Sequence, residues 1–182
     1  MTTALILIDI QNDYFPGGAL PVEGSEAATQ EAARLLDRWR ARHLPVIHVQ
    51  HLSVRPGAPF LIPGTTGADI HVDVVPLPDE IVVTKNFPNS FRDTPLLERL
   101  RAVDADSLVI AGMMTHMCID STVRAAFDLG FRCVLAQDAC ATRNLRLDGA
   151  DVPAAQVHTA FVAALNGLFA EARLTAAILA DA

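Results

Sequence analysis

The sequence predicts an α/β fold in which a parallel β-sheet is covered by helices on both faces. Short apolar runs typical of buried strands alternate along the chain with amphipathic helical patterns, as in parallel sheets. The 182 residues suit one domain, and 51% of them are hydrophobic, enough for a single well-filled core. No linker, repeat or low-complexity segment interrupts the chain, so we expect one domain over residues 1–182.

The first half of the chain contains three candidate strands and one long helix. Residues 4–10 form a continuous apolar run, as in a strand buried on both faces. From Ser25 onward apolar residues recur at helical spacing, and the apolar runs 45–49 and 81–83 predict two more strands. The Pro- and Gly-rich stretch 55–78 is too long for an ordinary connection and is a candidate lid or binding loop.

The same alternation continues in the second half of the chain. Residues 107–111 predict a fourth strand, and Thr115 is a candidate N-cap for a helix that stops at Gly130. The remaining patterns predict a short helix over residues 94–100, a fifth strand over 133–136, a long final helix over 157–168 and a short edge strand over 175–179.

The composition argues against several classes of partner. A net charge of −7 offers no broad cationic surface for nucleic acid or anionic lipid. The apolar start lacks the cationic residues of a signal peptide, and no stretch approaches the ~20 apolar residues of a membrane span. Three cysteines without a CxxC motif are typical of reduced thiols. We therefore expect a soluble cytoplasmic protein that acts on a small molecule, with no nucleic-acid or membrane partner.

Three reactive side chains follow the predicted strands. Asp9 ends the first strand, Lys85 ends the third, and Cys118 lies in the first turn of the helix after the fourth. Ligands of parallel sheets bind beyond the carboxyl ends of the strands, so a carboxylate, an ammonium and a thiol could meet there. Each residue also has an ordinary interpretation: Cys118 as a small buried side chain, Asp9 as a loop cap and Lys85 as a surface charge.

Together these residues predict nucleophilic catalysis. A helix N-terminus and a nearby cation stabilise a thiolate, so Lys85 would activate Cys118. Asp9 could accept the thiol proton and return it to a leaving group. Backbone N–H groups in the turn before Cys118 could stabilise an oxyanion.

Two motifs extend this interpretation. The segments IDIQNDYF (residues 8–15) and GMMTHMC (residues 112–118), with Lys85 between them, resemble those of the isochorismatase-like cysteine hydrolases. This superfamily includes nicotinamidase and N-carbamoylsarcosine amidase. The match in order and spacing covers nearly the whole chain, from residue 4 to about residue 170. It implies a three-layer α/β/α sandwich with a six-stranded parallel sheet of Rossmann-like topology.

The resemblance also implies a role for each site residue. Asp9, Lys85 and Cys118 would form a catalytic triad, with Asp9 as general base and then acid. Lys85 would be the cation that orients both partners and favours their ionised forms. The Met113–Met114 peptide is expected to be cis, with the N–H groups of Met114 and Cys118 directed at the substrate oxyanion.

The candidate substrate-binding residues lie in loops or turns expected near the same edge of the sheet: Tyr14, Phe60, Phe87, Phe91, Thr115 and His116. By the resemblance, Tyr14 matches the aromatic residue that lines the pocket in relatives. The three phenylalanines could form an apolar wall or pack in the core in the ordinary way. A further thiol, Cys140, is interpreted as structural.

One departure from the nicotinamidases concerns metal. Those enzymes resemble one another in an Asp-x-His motif after the second strand. This motif and a further His bind a metal, and the metal holds the ring nitrogen of the substrate. Here residues 48–53 read HVQHLS, without an acid, and His48 and His51 would point to opposite faces of a strand. Neither His71 nor His116 restores the motif. We therefore expect the metal-free branch, with no cofactor.

Three functions remain open. The first is hydrolysis of a C–N bond, other than a peptide bond, in a small carboxamide. The second is hydrolysis of a vinyl ether such as isochorismate, which relies on an acid and needs no thiol. The third is a non-catalytic binding module on the same fold. The presence of Cys118 favours the amidase, and the complete triad disfavours the binding module. Relatives commonly associate, so a homo-oligomer, a dimer or tetramer, is expected.

Overall fold

A central sheet of six parallel strands organises the computed structural model, which describes residues 2–181. The strands of the chain are β1 Thr2–Ile8, β2 Val46–His51, β3 Ile81–Lys85, β4 Ala105–Met113, β5 Arg132–Ala141, β6 Leu145–Leu147, β7 Ala150–Val152 and β8 Glu171–Arg173. The order across the sheet is β3-β2-β1-β4-β5-β8, and neighbouring strands are parallel. The short strands β6 and β7 form a separate antiparallel hairpin.

Helices cover both faces of this sheet. In the described part of the chain they are α1 Ser25–Ala41, α2 Leu96–Ala102, α3 Asp120–Asp128, α4 Ala154–Leu165 and α5 Thr175–Asp181. One core cluster contains buried residues of α1 and α5, and a second contains buried residues of α2, α3 and α4. The predicted three-layer α/β/α sandwich with a six-stranded parallel sheet is therefore confirmed. No helix within residues 2–181 is long and apolar enough to cross a membrane.

The central strand β1 shows why the sheet has two cores. Leu5 and Leu7 belong to the cluster that contains α1, whereas Ala4, Ile6 and Ile8 belong to the cluster that contains α3. All five side chains are at most 2% exposed. Successive side chains of a strand point to opposite faces, so a strand covered on both sides requires the continuous apolar run found here.

The strand order determines where a ligand could bind. Strand β1 lies between β2 and β4, so the chain crosses over in opposite directions on its two sides. Such a reversal opens a crevice at the carboxyl ends of the strands. Gly112 of β4 lies opposite Ile8 at this edge, and a Cβ there would stand 1.9 Å from the Ile8 carbonyl oxygen. Only glycine, here with φ of +132°, allows β1 and β4 to meet this closely.

Two predictions near the C-terminal end were wrong. Residues 175–179 belong to helix α5, and the edge strand of the sheet is β8 instead. Asp138 Oδ1 accepts hydrogen bonds of 2.8 Å from both the N–H and the hydroxyl of Thr175. These bonds stabilise the helix start, and the alanines and leucine that follow are good helix formers. The second prediction placed the end of a helix at residue 168, but this helix, α4, ends at Leu165, and Leu168 is exposed beyond it.

The long stretch 55–78 contains two single 3-10 turns, Thr66–Ala68 and Val72–Val74. It packs on the loop that follows β1: the Leu61 N–H donates to Asp13 Oδ2 at 2.6 Å. An open groove lies between this stretch and residues 12–19, and its lining does not include Asp9, Lys85 or Cys118. The stretch is therefore an anchored loop beside the candidate site.

Candidate active site

Asp9 is the first residue after the central strand β1. Its N–H donates to the Val49 carbonyl oxygen at 2.9 Å, and its φ of 53° lies in the left-handed region, which Asp tolerates better than most residues. The residue is fully buried. A carboxylate in such a place needs a compensating charge, because water cannot solvate it.

Lys85, the last residue of β3, supplies that charge. Its Nζ lies 2.7 Å from Asp9 Oδ2, and both side chains are 0% exposed. The ammonium also donates to the carbonyl oxygens of Phe87 (3.1 Å) and Pro88 (3.3 Å). These bonds offset the hydration that the ammonium loses, whereas the buried Asp9 oxygens have no hydrogen-bond partner apart from the ion pair itself.

Cys118 lies in a π-helical turn, Thr115–Ile119, between β4 and α3. The peptide bond between Met113 and Met114 is cis, and the Met114 carbonyl oxygen accepts the N–H of Met117 (3.0 Å) inside the turn. The thiol is 4% exposed. Ligating atoms of Asp9, His51 and Cys118 all lie within 4.8 Å of one another. The structure therefore brings the three predicted triad residues together.

Burial adds an effect that opposes the predicted activation of Cys118 by Lys85. Burial raises the pKa of the Cys118 thiol, and the charge of Asp9 raises it further, whereas Lys85 lowers it. Burial lowers the pKa of Lys85, but Asp9 and an ionised Cys118 raise it more, so the net shift is upward. The resting site thus holds a neutral thiol beside an ammonium–carboxylate pair, and the thiol needs a base before it can react.

Two further residues of this region are not among the predicted site residues. Gln11 is fully buried, and its side chain bonds both backbone groups of His51, accepting the N–H at 2.8 Å and donating to the carbonyl oxygen at 2.9 Å. His51 Nδ1 lies 3.2 Å from Lys85 Nζ. The sequence did carry a signal, because His51 ends β2 as Lys85 ends β3, and the two are register partners.

The aromatic candidates divide between the two cores. Tyr14 is buried, and burial raises the pKa of its phenol. Negative charge on Cys118 or Asp9 raises this pKa further, as expected of a phenol near the triad. Phe60 lies 6.0 Å from the Tyr14 ring and packs on the same core as α1, whereas Phe91 stacks on Phe131 in the other core. Phe60 and Phe91 therefore pack in different core clusters, and their shared role in an apolar wall of the pocket stays a prediction.

The remaining candidates have partners of their own. The guanidinium of Arg92 lies over the Phe87 ring, 3.6 Å from the ring centroid. The Thr115 hydroxyl is buried and bonds His158 Nδ1 at 2.9 Å, and the α3 N-cap is Ile119, so the N-cap prediction for Thr115 was wrong. His116 is half-buried with Nδ1 2.5 Å from Thr142 Oγ1. Roles for these residues and for the N–H groups of Met114 and Cys118 in substrate binding stay predictions.

The histidines of the sequence do not assemble into one metal site. His48 is buried, and its Nε2 lies 2.9 Å from Glu80 Oε2. His71 stacks on Phe15 at 3.8 Å between ring centroids. Ligating atoms of Asp9, His51 and Cys118 are close enough for an ion, but Lys85 Nζ already lies 2.7 Å from the carboxylate and 3.2 Å from the imidazole. A divalent ion would meet this ammonium, so the residues present do not fit one.

Burial alone does not distinguish the three thiols, which are 4%, 7% and 6% exposed for Cys118, Cys133 and Cys140. Burial raises the pKa of Cys133 and of Cys140 to about 12. Cys118 alone among them has a carboxylate and an ammonium beside it.

We therefore expect iodoacetamide to alkylate Cys118 in the native protein at least about tenfold faster than the other thiols. Time-resolved peptide mass mapping measures this ratio. Faster labelling of Cys140 would contradict the assignment of Cys118 as the nucleophile.

Comparison with known proteins agrees with this geometry. The sequence model of the isochorismatase domain matches residues 3–176. An uncharacterised isochorismatase family protein of Bacillus subtilis, YddQ, is 49% identical over 179 residues, which cover 98% of this chain and 99% of that protein. An isochorismatase from Pseudomonas putida superposes with a TM-score of 0.90 at 37% identity, covering 96% of this chain and 89% of the other.

Relatives with more specific names are hydrolases. The crystal structure of a cysteine hydrolase from Pseudomonas syringae gives a TM-score of 0.91 at 25% identity, over 98% of this chain and 91% of the other. Nicotinamidase 3 of Arabidopsis thaliana is 31% identical over 157 residues, 79% of this chain and 75% of that protein. Ureidoacrylate amidohydrolase RutB of Variovorax paradoxus is 26% identical over 189 residues, 86% of this chain and 73% of the enzyme. The chain belongs to the isochorismatase family and is a hydrolase of that family.

Proposed function

We propose that this protein is a cysteine amidohydrolase that cleaves a C–N bond, other than a peptide bond, in a small carboxamide. The observation that carries the proposal is the buried group of Asp9, Lys85 and Cys118, in which a thiol lies beside a charged base. Relatives named nicotinamidase 3 and ureidoacrylate amidohydrolase support amide chemistry.

In the first half of the proposed reaction, Asp9 accepts the proton of the Cys118 thiol, and the thiolate attacks the amide carbon. The carbonyl oxygen becomes an oxyanion, which the N–H groups of Met114 and Cys118 stabilise. Collapse of this intermediate breaks the C–N bond. The leaving nitrogen takes the proton from Asp9, so ammonia or an amine departs and a thioester remains on Cys118.

In the second half, Asp9 removes a proton from water as the water attacks the thioester, and the thiol leaves with that proton. The products are a carboxylic acid and the starting enzyme. Lys85 remains protonated in both halves, because the negative charges next to it raise its pKa. It stabilises whichever of Asp9 and Cys118 carries the negative charge.

The neutral resting thiol supports this division of roles. A thiolate already formed would need no base, whereas a thiol whose pKa is raised by burial and by Asp9 must give up its proton as it attacks. A vinyl-ether hydrolase would need a proton donor but no nucleophilic sulfur. The thiol beside the carboxylate therefore favours the amidase over the second hypothesis.

A panel of small primary amides, ureido acids and a vinyl ether tests the proposal. Ammonia or amine release is measured for each compound, with a Cys118→Ala protein as the blank. We expect turnover of at least one amide. Turnover of the vinyl ether alone would favour the second hypothesis, and no turnover of any compound would favour a binding module.

Removal of metal should leave this activity unchanged. The ammonium of Lys85 lies 2.7 Å from the carboxylate and 3.2 Å from the imidazole and would repel a divalent ion, so the reaction should need none there. The test is exhaustive chelation, followed by assay and by elemental analysis of the protein. Loss of activity that one divalent ion restores would show that the site does bind metal.

A further inference from the structure

His51 is a half-buried histidine that the proposed reaction does not use. The residue ends strand β2 beside Lys85, and its side chain is 15% exposed. Gln11 binds both backbone groups of His51 and donates to the Ala68 carbonyl oxygen at 2.7 Å. Because the backbone is held at both of these groups, the ring is presented to Lys85 in a defined position.

The hydrogen bonds of Lys85 determine which nitrogen of His51 carries the proton. The ammonium has three N–H groups and no acceptor. Besides its ion pair with Asp9 Oδ2, its three hydrogen-bond partners are the carbonyl oxygens of Phe87 and Pro88 and, at 3.2 Å, His51 Nδ1. Nδ1 must therefore accept, which places the single proton of a neutral ring on Nε2.

We propose that His51 is a positioning residue for Lys85: as the neutral Nε2–H tautomer it accepts a hydrogen bond from the ammonium and holds it against Asp9 and Cys118. The inference rests on the proposed function, because a correctly placed Lys85 matters only if the thiol reacts. His51 need not contact the substrate, and it acts through the cation.

The same contact gives the site a sensitivity to acid. The charged and titratable groups that face His51 are Asp9, Lys85 and Cys118. Burial lowers the pKa of His51 below its ordinary value of 6.5, Asp9 raises it and Lys85 lowers it, with a net downward shift. The ring is neutral at neutral pH. When it gains a second proton, Nδ1–H faces the ammonium at 3.2 Å, and the hydrogen bond becomes a repulsion between two cations.

Nuclear magnetic resonance tests the contact without any substrate. Long-range ¹H–¹⁵N spectra of the histidine rings, recorded on the full-length protein across the acid to neutral range, report the tautomer and the pKa of His51. We expect the proton on Nε2 and a titration below the ordinary value. A Lys85→Met variant should raise the pKa of His51, because the neighbouring cation is gone. A proton on Nδ1 at neutral pH would overturn the inference.

Two substitutions of His51 test its effect on turnover. In His51→Asn the amide oxygen can replace Nδ1 as acceptor and cannot become charged, so activity near neutral pH should be retained. The acid limb of kcat should move by at least about half a pH unit to lower pH. His51→Leu lacks an acceptor and should lower kcat about tenfold or more, with a smaller change in KM, as expected for loss of one hydrogen bond to a charged group.

His71→Asn is the matched control, since His71 stacks on Phe15 and does not touch the triad. It should leave the acid limb in place. An unchanged kcat in His51→Leu, or an unchanged acid limb in His51→Asn, would overturn the inference. Failure of the proposed function is distinguishable from this, because an inactive amide panel leaves the tautomer and the pKa of His51 to be measured directly.

Discussion

Replacement of Cys118 by alanine should abolish amide turnover, with a loss of at least about a thousandfold in kcat. The reason is that the reaction passes through a thioester on Cys118, and no other nucleophile lies within the buried group of Asp9 and Lys85 in the described part of the chain. Positioned water is a much weaker nucleophile. Steady-state ammonia release measures the effect, and thermal unfolding checks that the variant is folded.

Cys133→Ala and Cys140→Ala are matched controls, because each also removes a small buried thiol. Both should keep the activity of the parent protein. An aldehyde analogue of the best amide should add reversibly to Cys118, and native mass spectrometry should detect the adduct in the parent but not in Cys118→Ala. Near-parental turnover by Cys118→Ala, with Asp9 essential, would instead support the vinyl-ether hydrolase.

Asp9→Asn should remove both activity and stability. The carboxylate is the charged base next to the thiol, so proton transfer fails in both halves of the reaction. The substitution also leaves the ammonium of Lys85 buried without a counter-charge, since both side chains are 0% exposed. Removing one member of a buried ion pair costs about 3–5 kcal/mol of unfolding free energy. Denaturant unfolding and ammonia release measure the two losses separately.

A double variant separates the chemistry from the stability. Asp9→Asn with Lys85→Met removes both members of the buried ion pair, so its unfolding free energy should be higher than that of either single variant. It should remain inactive, because both the base and the cation are gone. A single Asp9→Asn protein as stable as the parent would show that the ammonium finds another partner or loses its proton easily. Recovery of activity in the double variant would refute the role of Asp9.

Much of the fold could be read from the chain because strands covered on both sides have a distinctive pattern. The apolar run at residues 4–10 predicted the central strand β1, and the polar residues that follow strands pointed to Asp9 and Lys85. These signals are local, since each depends on a few consecutive side chains. The prediction of the edge strand was wrong because β8 has only three residues, and the apolar run that follows it is compatible with either a strand or a helix.

The family resemblance also came from the sequence alone. The segments at residues 8–15 and 112–118 identified the superfamily, which the match of the isochorismatase domain over residues 3–176 confirms. The order of Asp9, Lys85 and Cys118 along the chain predicted a meeting at one edge of the sheet. The strand order β3-β2-β1-β4 brings them to that edge.

The tertiary structure alone determined how the site is charged and which residues join it. The net shift in the pKa of Cys118 depends on burial and on the charges of Asp9 and Lys85, which follow other strands, so it could not be obtained from the sequence. His51 was judged as a poor metal ligand, but the register of β2 against β3 places it beside Lys85. Phe60 and Phe91 occupy similar loop positions in the sequence, but only the folded chain shows that they pack in different core clusters. Desolvation, electrostatic interaction and packing between distant segments are properties of the folded neighbourhood, and no local pattern in the chain encodes them.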